Sequence, residues 1–207
     1  VIFDEKIHAS FFREKGGQQE IVLRVSKKEE LTRRKWFLLV REVVALAQKH
    51  HLAQVVVAWD DLVRYPILKK DTTETLATLV AENFALAGYT FARYKKKDKE
   101  SYHGLKQVIL VVTSKDLSAV KKGVARGLVH GEYLNWNRDL ANIPGNDMTP
   151  KLLAMKKRKK VAALKNSHLK LKVLGQKDID RLGMGGVMAV GKGSKEESQF
   201  IELFYKG

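Results

Sequence analysis

Six histidines, His8, His50, His51, His103, His130 and His168, are the first residues to ask for acid–base or metal chemistry. None stands in an HExxH pattern or at another metal-ligand spacing. His50 and His51 are adjacent at the end of an expected helix, where the dipole favours a cation, so a structural role is expected for them. The chain has no G-x-S-x-G elbow and no Ser/His/Asp order that would supply an activated nucleophile. It has no cysteine, which excludes disulfides, thiolate zinc sites and a thiol nucleophile. Asp178 and Asp180 lie two apart in a short expected helix, on different faces, and cannot share one substrate atom.

Phosphate chemistry has one candidate, "GMGGVMAVGKGSK" from Gly183 to Lys195. Gly186, Gly191 and Lys192 have Walker-type spacing, but Gly193 stands where a magnesium-binding hydroxyl is needed and no helix pattern follows. A dinucleotide fingerprint fails at Met188, which occupies the third glycine position. The segment reads instead as a strand, "GVMAVG", flanked by glycine turns. A polyanion site is the other candidate. The formal charge is +16, and lysines concentrate in "YKKKDKE" and "KLLAMKKRKK". Lys156, Lys157, Arg158, Lys159 and Lys160 are the residues that would contact nucleic acid. Neither run is interleaved with aromatics, so the plainer reading is a solvated face.

The elements that must position these residues follow from pattern. With 207 residues, 44% of them hydrophobic, the chain can bury a core and hold one large or two small domains. No signal pattern or membrane-length apolar run is present, which makes a cytoplasmic protein without membrane contact the expectation. A first residue other than Met suggests a fragment. "EIVLRVS" (residues 20–26) reads as a strand, and Ser26 and Glu29 have capping-box spacing for a helix that follows. That helix is apolar nearly all round in its second half, and its end should be buried. "AQVVVAW" (53–59) is a continuous apolar run, suited to a strand covered on both faces. Asp71 and Glu74 repeat the capping spacing before a helix with Leu76, Leu79, Val80, Phe84 and Ala87 on one face. "TFARY" (90–94) and "QVILVVT" (107–113) supply further strands. This alternation implies an α/β sheet with crossover connections.

A long helix is expected from Asp116, with Val120, Val124 and Leu128 at i+4, continued by Tyr133 and Leu134. Gly123, Gly127 and Gly131 recur every fourth position, which predicts close packing against a neighbour. The helix must stop near "NIPGN", because Pro144 pushes the preceding residue out of the α region and Gly145-Asn146 favours a turn. Thr149 is a good N-cap and Pro150 a good first helical residue. A strand "LKLKVLG" (169–175), a short helix "QKDIDRLG" ending at Gly183, and the strand "FIELFY" (200–205) then begin a second α/β unit. The predicted domains are an N-terminal α/β domain over 1–115, a linker helix and turn over 116–145, and the opening of a truncated domain over 146–207.

Two of these segments, "NRDLANIPGNDMTPKLLA" (137–154) and "LGMGGVMAVGKGSKEESQFIELFYKG" (182–207), together resemble the leucyl aminopeptidase family of cytosolic M17-type metallo-exopeptidases. The resemblance implies a macro-like N-terminal α/β domain, a linker helix, and a catalytic α/β domain of which only the first elements are present. It implies a hexamer and two divalent metal ions, zinc or manganese, that activate a water against the N-terminal peptide bond of a substrate. The family's ligands come from "VGKG-x-TFD-x-GG", "DAEGR" and "MRxDMGG" segments, none of which this sequence contains. Lys192 superficially matches the lysine of "VGKG", but Ser194, Lys195 and Glu196 follow it, so it is not assigned as a ligand. Catalytic and metal residues within the 207 are therefore expected to be none, and the chain alone is expected to be inactive. The alternative is a non-catalytic basic α/β module that binds nucleic acid or another polyanion. Arg138 and Asp139 are expected to anchor the linker helix rather than touch substrate.

Overall fold

The computed structural model describes residues 1–27, 30–95 and 104–207. They divide into two compact units, Val1–Asn137 and Arg138–Gly207.

In the first unit β1 (Ile2–Asp4), β2 (Phe11–Lys15) and β3 (Gln18–Arg24) form a sheet in the order β1-β3-β2, with β1 parallel and β2 antiparallel to β3. β3 is the strand expected from "EIVLRVS". The hairpin that joins it to β2 was not expected, although its signal is present: Gly16 and Gly17 both have positive φ (58° and 76°), and a two-residue turn of that hand matches strand twist. Next, β4 (Gln54–Ala58) and β5 (Gln107–Val111) pair in parallel, as a crossover requires. The Val1 ammonium donates to the Val56 carbonyl at 2.9 Å, which ties the β1 end to β4.

Between the strands run α1 (Arg33–Lys49), α2 (Trp59–Val63), a short 3-10 turn (Pro66–Leu68) and α3 (Thr73–Ala87). Leu39, Val40, Val43, Val44 and Ala47 of α1 are buried, as its apolar second half predicts. Leu39, Val40, Val43 and Ala47 meet Leu23, Val57, Trp59, Leu62 and Val80 in the core, where Trp36 Nε1–H donates to the Leu62 carbonyl at 2.8 Å. Both expected helix caps are displaced. α1 starts at Thr32, whose Oγ1 accepts from the Lys35 amide, not at Ser26; Glu29 lies outside the described residues. Leu31 and Trp36, both buried, occupy the N′ and N4 positions of a hydrophobic staple, which fixes the helix entry there. α3 is capped by Thr72 rather than Asp71, because Asp71 accepts two hydrogen bonds from Arg33 at 2.7 and 3.0 Å.

Two strand expectations fail in this unit. Residues 90–94 form no strand; a Lys95 N–H to Ala92 carbonyl bond makes a turn there instead. The lysine run that follows, and His103, fall within residues 96–103, outside the described set. β4 is buried on one face only: Val55 and Val57 are covered, while Val56 is 48% exposed.

Helix α4 (Leu117–Asn142) lies against α3 within the first unit. Its buried positions are Val120, Gly123, Gly127 and Gly131. A Cβ on Gly123 would come 2.6 Å from Ala77 Cβ, and one on Gly131 would come 2.5 Å from Ala85 Cβ. Polar groups close the same seam: Arg126 pairs with Glu74 at 2.9 Å, His130 with Glu82 at 3.3 Å, and Asn135 Nδ2 donates to the Ala85 carbonyl at 2.9 Å. The glycine stripe is thus the packing face. Of the expected valine–leucine stripe, Val120 is buried and Val124 packs against the core, while Leu128 is 54% exposed.

The second unit contains α5 (Pro150–Leu164), β6 (Leu169–Leu174), α6 (Gln176–Arg181), α7 (Gly185–Gly191) and β7 (Phe200–Tyr205). β6 and β7 pair antiparallel from Leu169↔Tyr205 to Leu174↔Phe200. Gly183 ends the α6 turn with φ 60°, as expected. "GVMAVG" is helix α7, not a strand. As a helix the segment satisfies its backbone groups internally.

Candidate functional site

The stretch from Asn137 to Pro150 is built as backbone chemistry requires. α4 ends at Asn142, Ile143 is buried, and the amides of Asp147 and Met148 both donate to the Pro144 carbonyl at 2.9 Å. Thr149 Oγ1 then accepts from the Leu152 amide at 3.2 Å, and Pro150 is the first residue of α5. Arg138 and Asp139 both lie in the last turns of α4.

The five basic residues singled out for nucleic acid lie in mid-α5. Successive helical residues turn by about 100°, so Lys156 to Lys160 travel once round the axis and do not share one face. Arg158 and Lys159 are exposed; Lys156, Lys157 and Lys160 are half-buried, one turn beyond the buried Ala154.

Two cavities gather polar side chains. One, of about 590 Å³ in the first unit, is bordered by His8, Ser10, Arg24, Glu30, Lys35 and Glu42. The other, of about 660 Å³ in the second, is bordered by Gln176, Met188, Lys192, Lys195, Glu196 and Ser198. In the second, the Ser198 amide donates to Gln176 Oε1 at 3.0 Å, and Ser198 Oγ fills the space a Cβ on Gly191 would need. At Gly191 the glycine-rich segment is thus packed against Ser198. Lys192 caps α7 through its amide, which donates to the Met188 carbonyl at 2.9 Å.

The shifted acidities belong to structure. Burial lowers the Val1 amine and raises the Tyr65 phenol, whose oxygen is buried without a hydrogen-bond partner. The Arg33 guanidinium is raised by its hydrogen bonds to Asp71. None of these three borders either cavity. Asp178 and Asp180 are engaged separately, by Arg181 at 2.9 Å and Gln176 at 2.7 Å, as their different faces require. His50 ends α1 and stacks on Phe12 with ring centroids 4.4 Å apart. His168 Nδ1 lies 2.8 Å from the Lys206 carbonyl. Among the described residues no three His, Cys, Asp or Glu side chains converge on a point that could hold a metal ion.

Residues 135–207 match the cytosol aminopeptidase family, catalytic domain. A probable cytosol aminopeptidase from Roseiflexus castenholzii is 34% identical over 167 residues, covering 80% of this chain and 33% of that protein. One from Ralstonia nicotianae is 35% identical over 199 residues, covering 93% of this chain and 37% of that protein. The chain thus spans about a third of the length of these curated relatives. Among solved structures, the bottromycin maturation enzyme BotP in complex with Mn superposes with a TM-score of 0.72 at 22% identity, over 95% of this chain and 39% of that one. A mutant tomato leucine aminopeptidase gives 0.72 at 19% identity, over 98% of this chain and 39% of that one. At such identities these two likenesses speak for the α/β fold alone. Among the described residues no helix is long and apolar enough to cross a membrane. The family match, the helix stop at Pro144 and the Thr149–Pro150 helix start coincide, and the chain belongs to the cytosol aminopeptidase family.

Proposed function

We propose that this chain is the N-terminal α/β domain, linker helix and first catalytic-domain elements of a metal-dependent, leucyl-type aminopeptidase. The observation that carries the reading is the match of residues 135–207 to the family's catalytic domain, within a chain 34–35% identical to cytosol aminopeptidases over most of its length. In this reading the intact enzyme removes N-terminal residues from peptides in the cytoplasm, as a homohexamer. Two divalent metals, zinc or manganese, would lower the pKa of an attacking water and hold the substrate carbonyl. The 207 residues contribute scaffold rather than chemistry. The sequence holds none of the ligand-bearing segments that the family resemblance names, so the metal ligands are assigned to chain that these residues do not include.

The test is direct. The 207-residue chain is purified, supplied with Mn²⁺ or Zn²⁺, and assayed on a leucyl amide. The reading expects no metal-dependent turnover from these residues alone; turnover would sink it.

A further inference from the structure

Lys35, Leu38, Leu39 and Glu42 lie on one face of α1, at the i, i+3, i+4 and i+7 spacing of a helical stripe. The stripe carries opposite charges at its two ends and leucines between them. On a helix surface a charge meets its partners three or four positions away. Those positions are Leu31, Thr32, Leu38 and Leu39 for Lys35, and Leu38, Leu39, Ala45 and Leu46 for Glu42, so neither charge has an ionic neighbour on its own helix. Nor do the two reach each other, because two turns set them about 10 Å apart. This face walls the cavity of about 590 Å³ in the first unit, and Arg24, the last residue of β3, borders the same space. The Arg24 amide donates to Ser10 Oγ at 2.8 Å, which fastens the loop after β1 to that strand end. Lys35 Nζ donates to the Glu30 carbonyl at 3.0 Å, yet no ion pair joins any two of Arg24, Glu30, Lys35 and Glu42. Between the charges Leu38 is 53% exposed and leaves apolar surface uncovered.

From this arrangement we propose that the cavity binds a short peptide with free termini, its ammonium on Glu42, its carboxylate on Lys35 and an apolar side chain against Leu38. Charge balance selects the ligand class. With His8 neutral, two cations, Arg24 and Lys35, border the cavity together with two anions, Glu30 and Glu42. A polyanion would meet two carboxylates and a metal ion two positive groups, and like charges brought together reject both. A zwitterion matches both signs through charge-assisted hydrogen bonds. Spacing selects the length. An extended chain advances about 3.3–3.6 Å per residue, so three residues cover the ~10 Å between Lys35 and Glu42. A free amino acid carries its ammonium and carboxylate on one carbon and touches only one end. The cavity volume falls within the roughly 300–1,000 Å³ of small-molecule sites. All these residues precede the segment 135–207 that matches the family's catalytic domain, so the proposal does not rest on the aminopeptidase reading.

The peptide Ala-Leu-Ala, with free termini, is titrated calorimetrically into the 207-residue chain in EDTA, which withholds metal. Saturable binding of one peptide per chain is expected. Acetylating the amine, or amidating the carboxylate, should each weaken binding about tenfold, the loss of one contact to a charged group. Free leucine should bind more weakly by a similar factor. Glu42→Gln should erase the difference between free and acetylated peptide, and Lys35→Gln the difference between carboxylate and amide. Neither side chain is buried, so the circular dichroism spectra of both variants should match wild type. Absence of saturable binding at millimolar peptide overturns the proposal. So do blocked peptides that bind as tightly as the free one, and free leucine that binds as tightly as the tripeptide. Discrimination that survives both substitutions overturns it too, because the peptide then sits elsewhere. No metal or turnover enters this readout, so its failure leaves the aminopeptidase reading standing, and turnover in the metal assay leaves this site standing.

Discussion

Gly127 of α4 stands so close to Thr78 of α3 that a single added methyl group would overlap the Thr78 carbonyl oxygen. The same methyl would lie 2.9 Å from Ala81 Cβ, so backbone and side chain are both in the way. Neither helix can yield alone. α3 is held from its other side by α1, where Arg41 Nε donates to the buried Asn83 at 2.7 Å. Replacement of Gly127 by Ala should therefore cost about 1–3 kcal/mol, the range for overpacking a filled interior. Thermal melting should show a drop of several degrees. Gly145→Ala, where nothing lies within 4 Å, should melt close to wild type and serves as the control.

Tyr65 offers a second test, through pH. Burial raises its phenol above the ordinary tyrosine value, while the nearby Arg64 pulls weakly the other way. A raised folded-state pKa means that the fold favours the neutral phenol. That contribution is complete below the ordinary value of about 10 and is lost as pH climbs through the raised folded value. Tyr65→Phe should remove this loss, so the stability of the variant should fall less than that of wild type above pH ~10. Among the described residues the hydroxyl makes no hydrogen bond of good geometry, although the Arg64 guanidinium lies close enough to lower its pKa, so at neutral pH the variant should be about as stable as wild type. Denaturant melts at several pH values compare the two; a Tyr65→Phe protein distinctly weaker at neutral pH would mean that the hydroxyl has a partner after all.

The connector after Pro144 depends on one hydroxyl. Thr149→Ala removes the acceptor for the Leu152 amide and should cost about 1 kcal/mol, and Thr149→Ser should restore most of it. Hydrogen exchange localises the effect: faster exchange in the first turn of α5, with α1 and α3 unchanged. Equal loss throughout both units would contradict a local capping role.

What could be read from sequence follows from how local each determinant is. The break at Pro144 and the start at Thr149–Pro150 rest on φ restrictions and one capping oxygen, and both stand where residue identity alone puts them. The three glycines of α4 also gave their meaning directly, since a four-residue repeat of the smallest side chain has one packing use. α7 was misread for the opposite reason. "GVMAVG" is too short for its apolar residues to show a period that separates strand from helix. The cap at Thr72 was missed because Arg33, 38 positions away, engages the competing Asp71. The basic residues 156–160 form a run in sequence, which helical rotation distributes round α5. The hairpin at Gly16–Gly17 was legible and overlooked.

If these residues are the scaffold of a two-metal aminopeptidase whose ligands lie outside them, the coding sequence around and past Gly207 must show it. Sequencing that region should reveal an open frame that soon encodes a "VGKG-x-TFD" segment, followed by the other ligand-bearing motifs. A stop codon immediately after Gly207, in a protein that still hydrolyses leucyl amides with added Mn²⁺, would contradict it.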